Sequence, residues 1–495
     1  MLSPVKPVLL ALCLASPLLA GCAVGPDYVT PDFGTPARWS SDRNQPAQQL
    51  RLAQWWRNLG DAPLDQLIGE AVSGNLDVAA AKARIREARA TQRQAVGALF
   101  PTVSGTSSAT ETRSAGSTTA GIAIAPTTSS QFQAGFDSSW ELDLFGANRR
   151  AVEAASYGVD AAKDDLRATL LTLIGDVASN YIDARAYQAR VALAQRTAAS
   201  QRETAALTAR KQEAGSASAV DTAKASALAA STEATIPTYE SSYQQALHRL
   251  GVLLGRDPTA LSQRLSRSLP IPAPRRPLPK GIPADVLVMR PDIRKAERQL
   301  AQFTAKIGQA TAALYPDISL TGTVSTSALK LGDLGKSSTI GWSIGPSLSV
   351  PIFNGGKLQA AVEVAEAQRD EYHVAWRSAV LSALEDVENA IVNLGQERLR
   401  IRSLTESARR YNEAARLSRG LYQTGSSTFL DVLDAERSQF TAEDSLLASR
   451  AALAKNYVAL AKALGGGWSG PIDSSVPEVV DGGTGPHLAQ AAAPR

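Results

Sequence analysis

The chain predicts a membrane protein of the α+β class, in which a few strands enter a shared barrel and very long helices stand outside the lipid. Three observations predict it. Beyond residue 22 no stretch holds the 18 or so apolar residues that a membrane helix requires, so any span must use strands. Several segments alternate apolar and polar residues with period two, as strands do between lipid and water. Two proline-free stretches, 146–214 and 357–424, carry apolar residues at spacings of three and four, the mark of continuous helix.

Composition narrows the function. Of 495 residues 44% are hydrophobic, enough for ordered structure, and 51 Lys and Arg against 47 Asp and Glu give a net charge of +4. No long block of one sign is present, which speaks against a nucleic-acid partner. Three histidines (His248, His373, His487) and two cysteines are too few for a multi-histidine metal centre or a disulfide framework.

The first 21 residues read as a leader. Lys6 gives a basic start, Val8 to Ala20 is nearly continuously apolar, and Leu19-Ala20-Gly21-Cys22 closes the run. That ending resembles the bacterial lipobox, which implies cleavage before Cys22 and a covalent lipid on its sulfur. Ala23 rather than Asp behind the anchor fits export to the outer membrane.

Strands come next. Ile340, Trp342, Ile344, Pro346, Leu348 and Val350 alternate with Thr339, Gly341, Ser343, Gly345, Ser347 and Ser349. Phe132, Ala134, Phe136, Trp140 and Leu142 alternate with polar residues, as do Ile318, Leu320 and Val324, so strands are predicted at 131–143, 317–327 and 338–350. A fourth, 102–113, is weaker, because Ser and Thr occupy both its faces. A soluble sandwich with one wet face is the competing reading. The long helices oppose it: at 1.5 Å per residue each predicted helix extends roughly 100 Å, several times a hydrocarbon core.

The chain also repeats itself. Leu76-Asp77 through Phe100-Pro101 matches Pro291-Asp292 through Tyr315-Pro316, and Gly215 through Asp221 matches Gly425 through Asp431. Each half reads helix, strand, strand, long helix, turn, return helix. The division is a leader, 1–21; an anchoring segment, 22–61; a first repeat, 62–268, with return helix 218–255; a Pro-rich connector, 269–283; a second repeat, 284–469, with return helix 428–464; and a tail, 470–495, predicted to be disordered. Four strands cannot close, and transmembrane barrels start at about eight, so the barrel must be shared between chains. A dimer, trimer or tetramer is equally consistent with that count.

Several motifs in order now carry a resemblance. They are Val24-Gly25-Pro26-Asp27-Tyr28 after Cys22, Trp55-Trp56, Arg290-Pro291-Asp292-Ile293-Arg294, Leu314-Tyr315-Pro316, Pro351 to Gly356, Gly425 to Glu436, and Ala463 to Trp468. Together they resemble the TolC-like outer-membrane factors of tripartite efflux systems, in the lipidated OprM and NodT branch, over almost the whole chain. The resemblance implies a homotrimer with a 12-strand β-barrel continuing into a periplasmic α-helical barrel. It implies an outer-membrane lipid setting, a periplasmic adaptor and an inner-membrane resistance-nodulation-division pump as partners, and no cofactor beyond the lipid on Cys22. It further implies a periplasmic gate, with Leu430 as apolar constriction and Asp434 as acidic ring beside Asp431, and adaptor-contacting turns at Gly215, Ser216, Gly425 and Ser426.

Catalytic motifs are decoys. Gly341-Trp342-Ser343-Ile344-Gly345 matches a nucleophile elbow, but strand alternation runs straight through it. Gly335-Lys336-Ser337 lacks the first glycine of a phosphate loop. His248 and His373 lie among helical residues with no partner pattern, and Trp39, Trp55 and Trp56 read as packing. At the helical turns, Ser218-x-x-Asp221 and Thr428-x-x-Asp431 fit capping boxes, a structural duty that competes with a gating role for the aspartates. Asp434 has no capping duty, and its competing role is a solvated pair with Arg437.

The expected function is a passive outer-membrane exit duct for small molecules. A channel for protein secretion is the alternative within the fold, and a periplasmic lipoprotein scaffold is the alternative outside it. Cys22→Ser should abolish lipidation yet leave the protein in the membrane fraction, because a closed barrel holds far more firmly than acyl chains at about 0.8 kcal/mol per buried CH₂. A soluble monomer of this variant in the periplasmic fraction would contradict the barrel.

Overall fold

The computed structural model describes residues 23–39, 52–119, 122–278, 283–468 and 470–477. The leader, Cys22, His487, part of the connector and the tail beyond residue 477 lie outside these. The chain divides into two compact units.

The unit formed by the chain up to Asp32, Arg86–Ala161 and Ala296–Trp376 contains the strands. They are β1 (Thr102–Ser114), β2 (Ser117–Thr119), β3 (Ile122–Ile124), β4 (Thr127–Glu141), β5 (Asp317–Ala328) and β6 (Ile340–Ser349). One antiparallel sheet has the order β1-β4-β5-β6, and β2 pairs with β3 in a small extension of the first hairpin. The extension departs from the four predicted strands, since two strands of three residues each are too short to show a period. Register sorts the faces: Phe136 pairs with Val324 and Val324 with Trp342, while Asp137 pairs with Thr323 and Thr323 with Ser343. The apolar face is uncovered in the chain, with Phe136 65%, Trp342 74%, Ile344 68% and Leu348 63% exposed. The outer edges of β1 and β6 have no strand partner among the described residues. Ser343 meets Thr323 Oγ1 at 3.1 Å within this register, so the decoy serine is a strand residue. Gly335 lies in the β5–β6 loop, its N–H donating to Thr326 Oγ1 at 2.9 Å.

The unit formed by Phe33–Ile85, Ala162–Lys295 and Arg377 onward is helical in its main elements. Chain order gives α1 (Ala62–Gly74), α2 (Leu76–Gly97), α3 (Ala147–Glu213), α4 (Ala219–Glu233), α5 (Thr235–Leu253), α6 (Pro283–Met289), α7 (Pro291–Ala312), α8 (Lys357–Gln423) and α9 (Phe429–Ala463), several of which continue in the strand-bearing unit. α3 and α8 each run 67 residues without a break. The predicted first return helix, 218–255, is instead two helices divided at Ala234. Pro237 cannot donate to the Glu233 carbonyl, which ends the first segment, and α9 in the second repeat contains no proline and stays whole.

Small residues line the helical core. Ala194, Ala198, Ala454 and Ala461 are fully buried, so backbones approach closely but each contact removes little apolar area. Larger side chains are buried as well: Leu64, Leu67 and Ile68 on α1, Ile174, Val177 and Tyr181 on α3 and Tyr457 on α9, worth roughly 2 kcal/mol per aliphatic side chain. Trp55 meets Trp56 edge-on at 6.0 Å, and Trp56 stacks on Trp468 at 6.3 Å. Trp55 Nε1 donates to the Gly466 carbonyl at 3.2 Å. These tryptophans are structural, and Trp39 is buried as well.

The Arg290-Pro291-Asp292 motif is a knot. Arg290 donates to Asp292 Oδ1 and Oδ2 at 3.0 and 2.6 Å, to Asp386 Oδ2 at 3.0 Å and to the Ala463 carbonyl at 3.2 Å, joining α7, α8 and α9. Burial alone would raise the Asp292 pKa, but the Arg290 guanidinium outweighs it and holds the carboxyl below its ordinary value. A depressed carboxylate pKa stabilises the fold above the unfolded value of about 3.9, and that stability is lost as pH falls through the lower folded value. Thermal unfolding of the detergent-solubilised protein should therefore drop over that acid range by more in the wild type than in Asp292→Asn. Parallel profiles would remove Asp292 from the acid response.

Candidate functional site

The predicted site residues fall at the two turns joining α3 to α4 and α8 to α9. Both turns end a helix the same way. Gly215 N–H donates to the Gln212 carbonyl at 2.9 Å and Ser216 N–H to Lys211 at 2.7 Å; Gly425 and Ser426 donate to Tyr422 and Leu421 at 3.1 and 2.8 Å. These are the paired bonds of a Schellman ending, which needs a left-handed residue, and φ is +72° at Gly215 and +81° at Gly425. No neighbour crowds either glycine, so only its backbone angle demands it.

Both turns also start the return helix alike. Ser218 N–H and Oγ donate to Asp221 Oδ2 at 3.2 and 2.8 Å, and Thr428 N–H and Oγ1 donate to Asp431 Oδ2 at 3.1 and 2.8 Å. Asp431 is thereby engaged as a cap. Leu430 and Asp434, one helical turn apart, share an outward face; Leu430 is 61% exposed and the Asp434 side chain 71% exposed. Asp434 lies 3.9 Å from Arg437 in a solvated pair.

A buried polar tie beneath the second turn was not visible in the sequence. The Glu436 side chain, 3% exposed, accepts from Thr204 Oγ1 at 2.8 Å and from Arg419 Nε at 2.9 Å, joining α3, α8 and α9. Above it Lys211 Nζ donates to the Tyr422 carbonyl at 2.6 Å, supplying a partner at the C-terminus of α8. The Tyr422 ring meets Phe429 edge-on at 5.8 Å within a small core that includes Val432 and Ala225. Period and spacing cannot reveal such a tie, because it joins residues 232 positions apart.

His248 is exposed on α5, and His373 lies on α8 tilted against Trp376 at 5.9 Å. Among the described residues no group of His, Cys, Asp and Glu is arranged to hold a metal ion, and no helix is long and apolar enough to cross a membrane. Cys22 lies outside the described residues.

A strand sheet with an apolar and a polar face, together with duplicated long helices that end in matching turns, defines a membrane channel protein of the export type. The chain belongs to the outer membrane efflux protein family, which matches residues 67–256 and 282–466. It is 36% identical over 456 residues to nodulation protein T of Rhizobium leguminosarum bv. trifolii, covering 91% of this chain and 96% of that one. It is 32% identical to the solvent efflux pump outer membrane protein SrpC of Pseudomonas putida, covering 91% and 97%. The solved outer-membrane channel OprN superposes with a TM-score of 0.84 at 35% identity, covering 90% of this chain and all of that one. The protein is thus an outer-membrane efflux channel, a passive conduit with no catalytic role and no cofactor.

Glu436→Ala should cost about 2 kcal/mol, since it leaves the partly buried Arg419 without its acceptor, whereas Thr204 Oγ1 keeps the Ser200 carbonyl at 3.2 Å. Ser218→Ala removes one cap and should cost about 1 kcal/mol. Denaturant midpoints for the two variants test this ranking, and equal losses would deny the buried tie its weight.

Proposed function

We propose that three copies of the chain close a 12-strand barrel in the outer membrane and form a duct for small molecules delivered by an inner-membrane pump through a periplasmic adaptor. The observation that carries this reading is the four-stranded sheet with an apolar face, a polar face and two open edges. β6 runs antiparallel to β1, so the β6 edge of one copy can pair with the β1 edge of the next and keep the whole barrel antiparallel. A lipid on Cys22 supplements this attachment. The turns at Gly215, Ser216, Gly425 and Ser426 present the adaptor-contacting surface, supported by their exposure and their matching geometry. The repeats 62–268 and 284–469 each supply one hairpin and one such turn.

At the gate, Leu430 supplies an apolar ring and Asp434 an acidic ring, each repeated by symmetry around the axis. Three facing carboxylates repel, and bound cations offset that repulsion, so the ring favours cations. Asp431 contributes to the helix start instead.

Planar-bilayer recordings on purified protein test both the duct and its gate. Asp434→Ala should lower cation selectivity and blockade by multivalent cations, Leu430→Ala should raise basal conductance, and Asp431→Ala should chiefly cost about 1 kcal/mol of stability. Absence of single-channel conductance in the wild type would favour a scaffold, and unchanged selectivity in a stable Asp434→Ala assembly would remove this carboxylate from the pore.

A further inference from the structure

The segment immediately after the predicted cleavage point is held by contacts more specific than a tether requires. Arg150, in the first turn of α3, has a side chain only 6% exposed, and its guanidinium is directed at this segment. Nε donates to the Val24 carbonyl at 3.2 Å, while Nη2 donates to the Gly25 carbonyl at 3.2 Å and to Asp27 Oδ1 at 2.7 Å. Nη1 donates to Glu153 Oε2 at 2.7 Å, which fixes the guanidinium on α3. The Val24 N–H donates to the Phe145 carbonyl at 3.1 Å.

Close approach makes the fit exclusive. Gly25 has φ +90°, and a Cβ there would collide with the backbone of Gly308 on α7. A Cβ on Gly308 would lie 2.8 Å from both the Val24 carbonyl oxygen and Arg150 Nε. At the start of the strap, a Cβ on Gly146 would fall 2.8 Å from the Cα of Ala23. Gly146 stands between the end of β4 and the start of α3. Farther along, Tyr28 donates to Glu297 Oε1 at 2.8 Å and meets Tyr157 edge-on at 5.9 Å.

We propose that Arg150 is a positioning residue for membrane attachment: it clamps Val24–Asp27 so that the chain leaves the folded body beside Gly146, where sheet gives way to helix. A lipid on the preceding residue then enters the leaflet at that level and holds the strands at their working depth. This deepens the reading of Cys22 as a lipid anchor and rests on it. With the clamp open, the Val24–Phe145 backbone bond is left alone to hold the strap; once it exchanges with water the next hold is Tyr28, six residues from Cys22, which gives about 20 Å of slack at roughly 3.5 Å per residue. That is most of a hydrocarbon core of about 30 Å, so an unclamped anchor no longer specifies depth.

The test uses full-length protein isolated from membranes, with Arg150→Leu made in both Cys22 and Cys22→Ser backgrounds. Arg150→Leu should raise deuterium exchange of the backbone amides of Val24, Gly25, Asp27 and Tyr28 at least tenfold. In the Cys22 background it should slow formation of the heat-resistant assembly several-fold, to the rate of Cys22→Ser alone, and it should slow that variant no further. A purely structural arginine would slow both backgrounds equally, which overturns the proposal even if folding suffers. Asp27→Ala removes the Arg150 Nη2 contact on the exposed side of the strap, and unchanged exchange in that variant also overturns the clamp. Mass spectrometry of the N-terminal peptide separates the two layers. An unacylated peptide overturns the anchor and the proposal together, whereas an acylated peptide with equal slowing in both backgrounds overturns the proposal alone.

Discussion

Two open sheet edges govern the rest of the molecule. Each edge of the β1-β4-β5-β6 sheet presents a row of N–H and C=O groups, and in hydrocarbon each unsatisfied group costs several kcal/mol. Water cannot help there, and no described strand of the same chain covers either edge. The sheet is therefore complete only when copies supply the missing partners. Because each repeat contributes an antiparallel hairpin, and the hairpins join through β4 and β5, the chain offers two edges of opposite direction. Copies can add around a ring without a parallel mismatch.

The helices face the opposite difficulty. A seam of Ala194, Ala198, Ala454 and Ala461 lets helices approach closely but offers little shape to fix how far one slides along another. Polar ties supply that information. Arg190 holds Asp444 through two bonds of 2.7 and 2.6 Å, and Tyr239 joins the same carboxylate at 3.1 Å, linking α3, α5 and α9. The Arg185 side chain, buried on α3, donates to Tyr181 Oη at 3.0 Å, Gln188 Oε1 at 2.7 Å and the Arg267 carbonyl at 2.8 Å. A shift of α3 by one helical turn would break the Arg190–Asp444 pair and the bond from Arg185 to the Arg267 carbonyl, leaving charge buried without its partner at a cost of several kcal/mol.

What was legible in the sequence follows from how local each signal is. Alternation at Ile340 to Ser349 and the proline-free runs encode element type within a few residues, and the matching helices and strands are present. Ser218-x-x-Asp221 and Gly215 encode a cap and a stop within one turn, so the outline of both turns could be read. Thr102–Ser114 was weak because its side chains are small and polar on both faces, yet it pairs residue for residue with β4; strand formation there depends on its neighbour. Pro237 divides the first return helix, a break that the helical spacing of its neighbours does not signal. Glu436 looks like any surface charge on a helix until Thr204 and Arg419 are brought to it by the fold.

The division at Ala234 gives the duplicated halves different mechanical characters. The first return helix has an interrupted hydrogen-bond ladder, while its counterpart α9 is continuous over 35 residues and braced by Glu436. If equal loads act at the two turns, flexure concentrates in the first half and the second transmits the load almost unchanged. A closed ring of such chains would have compliant and rigid staves in alternation, so that two halves of like design serve as a hinge and a strut.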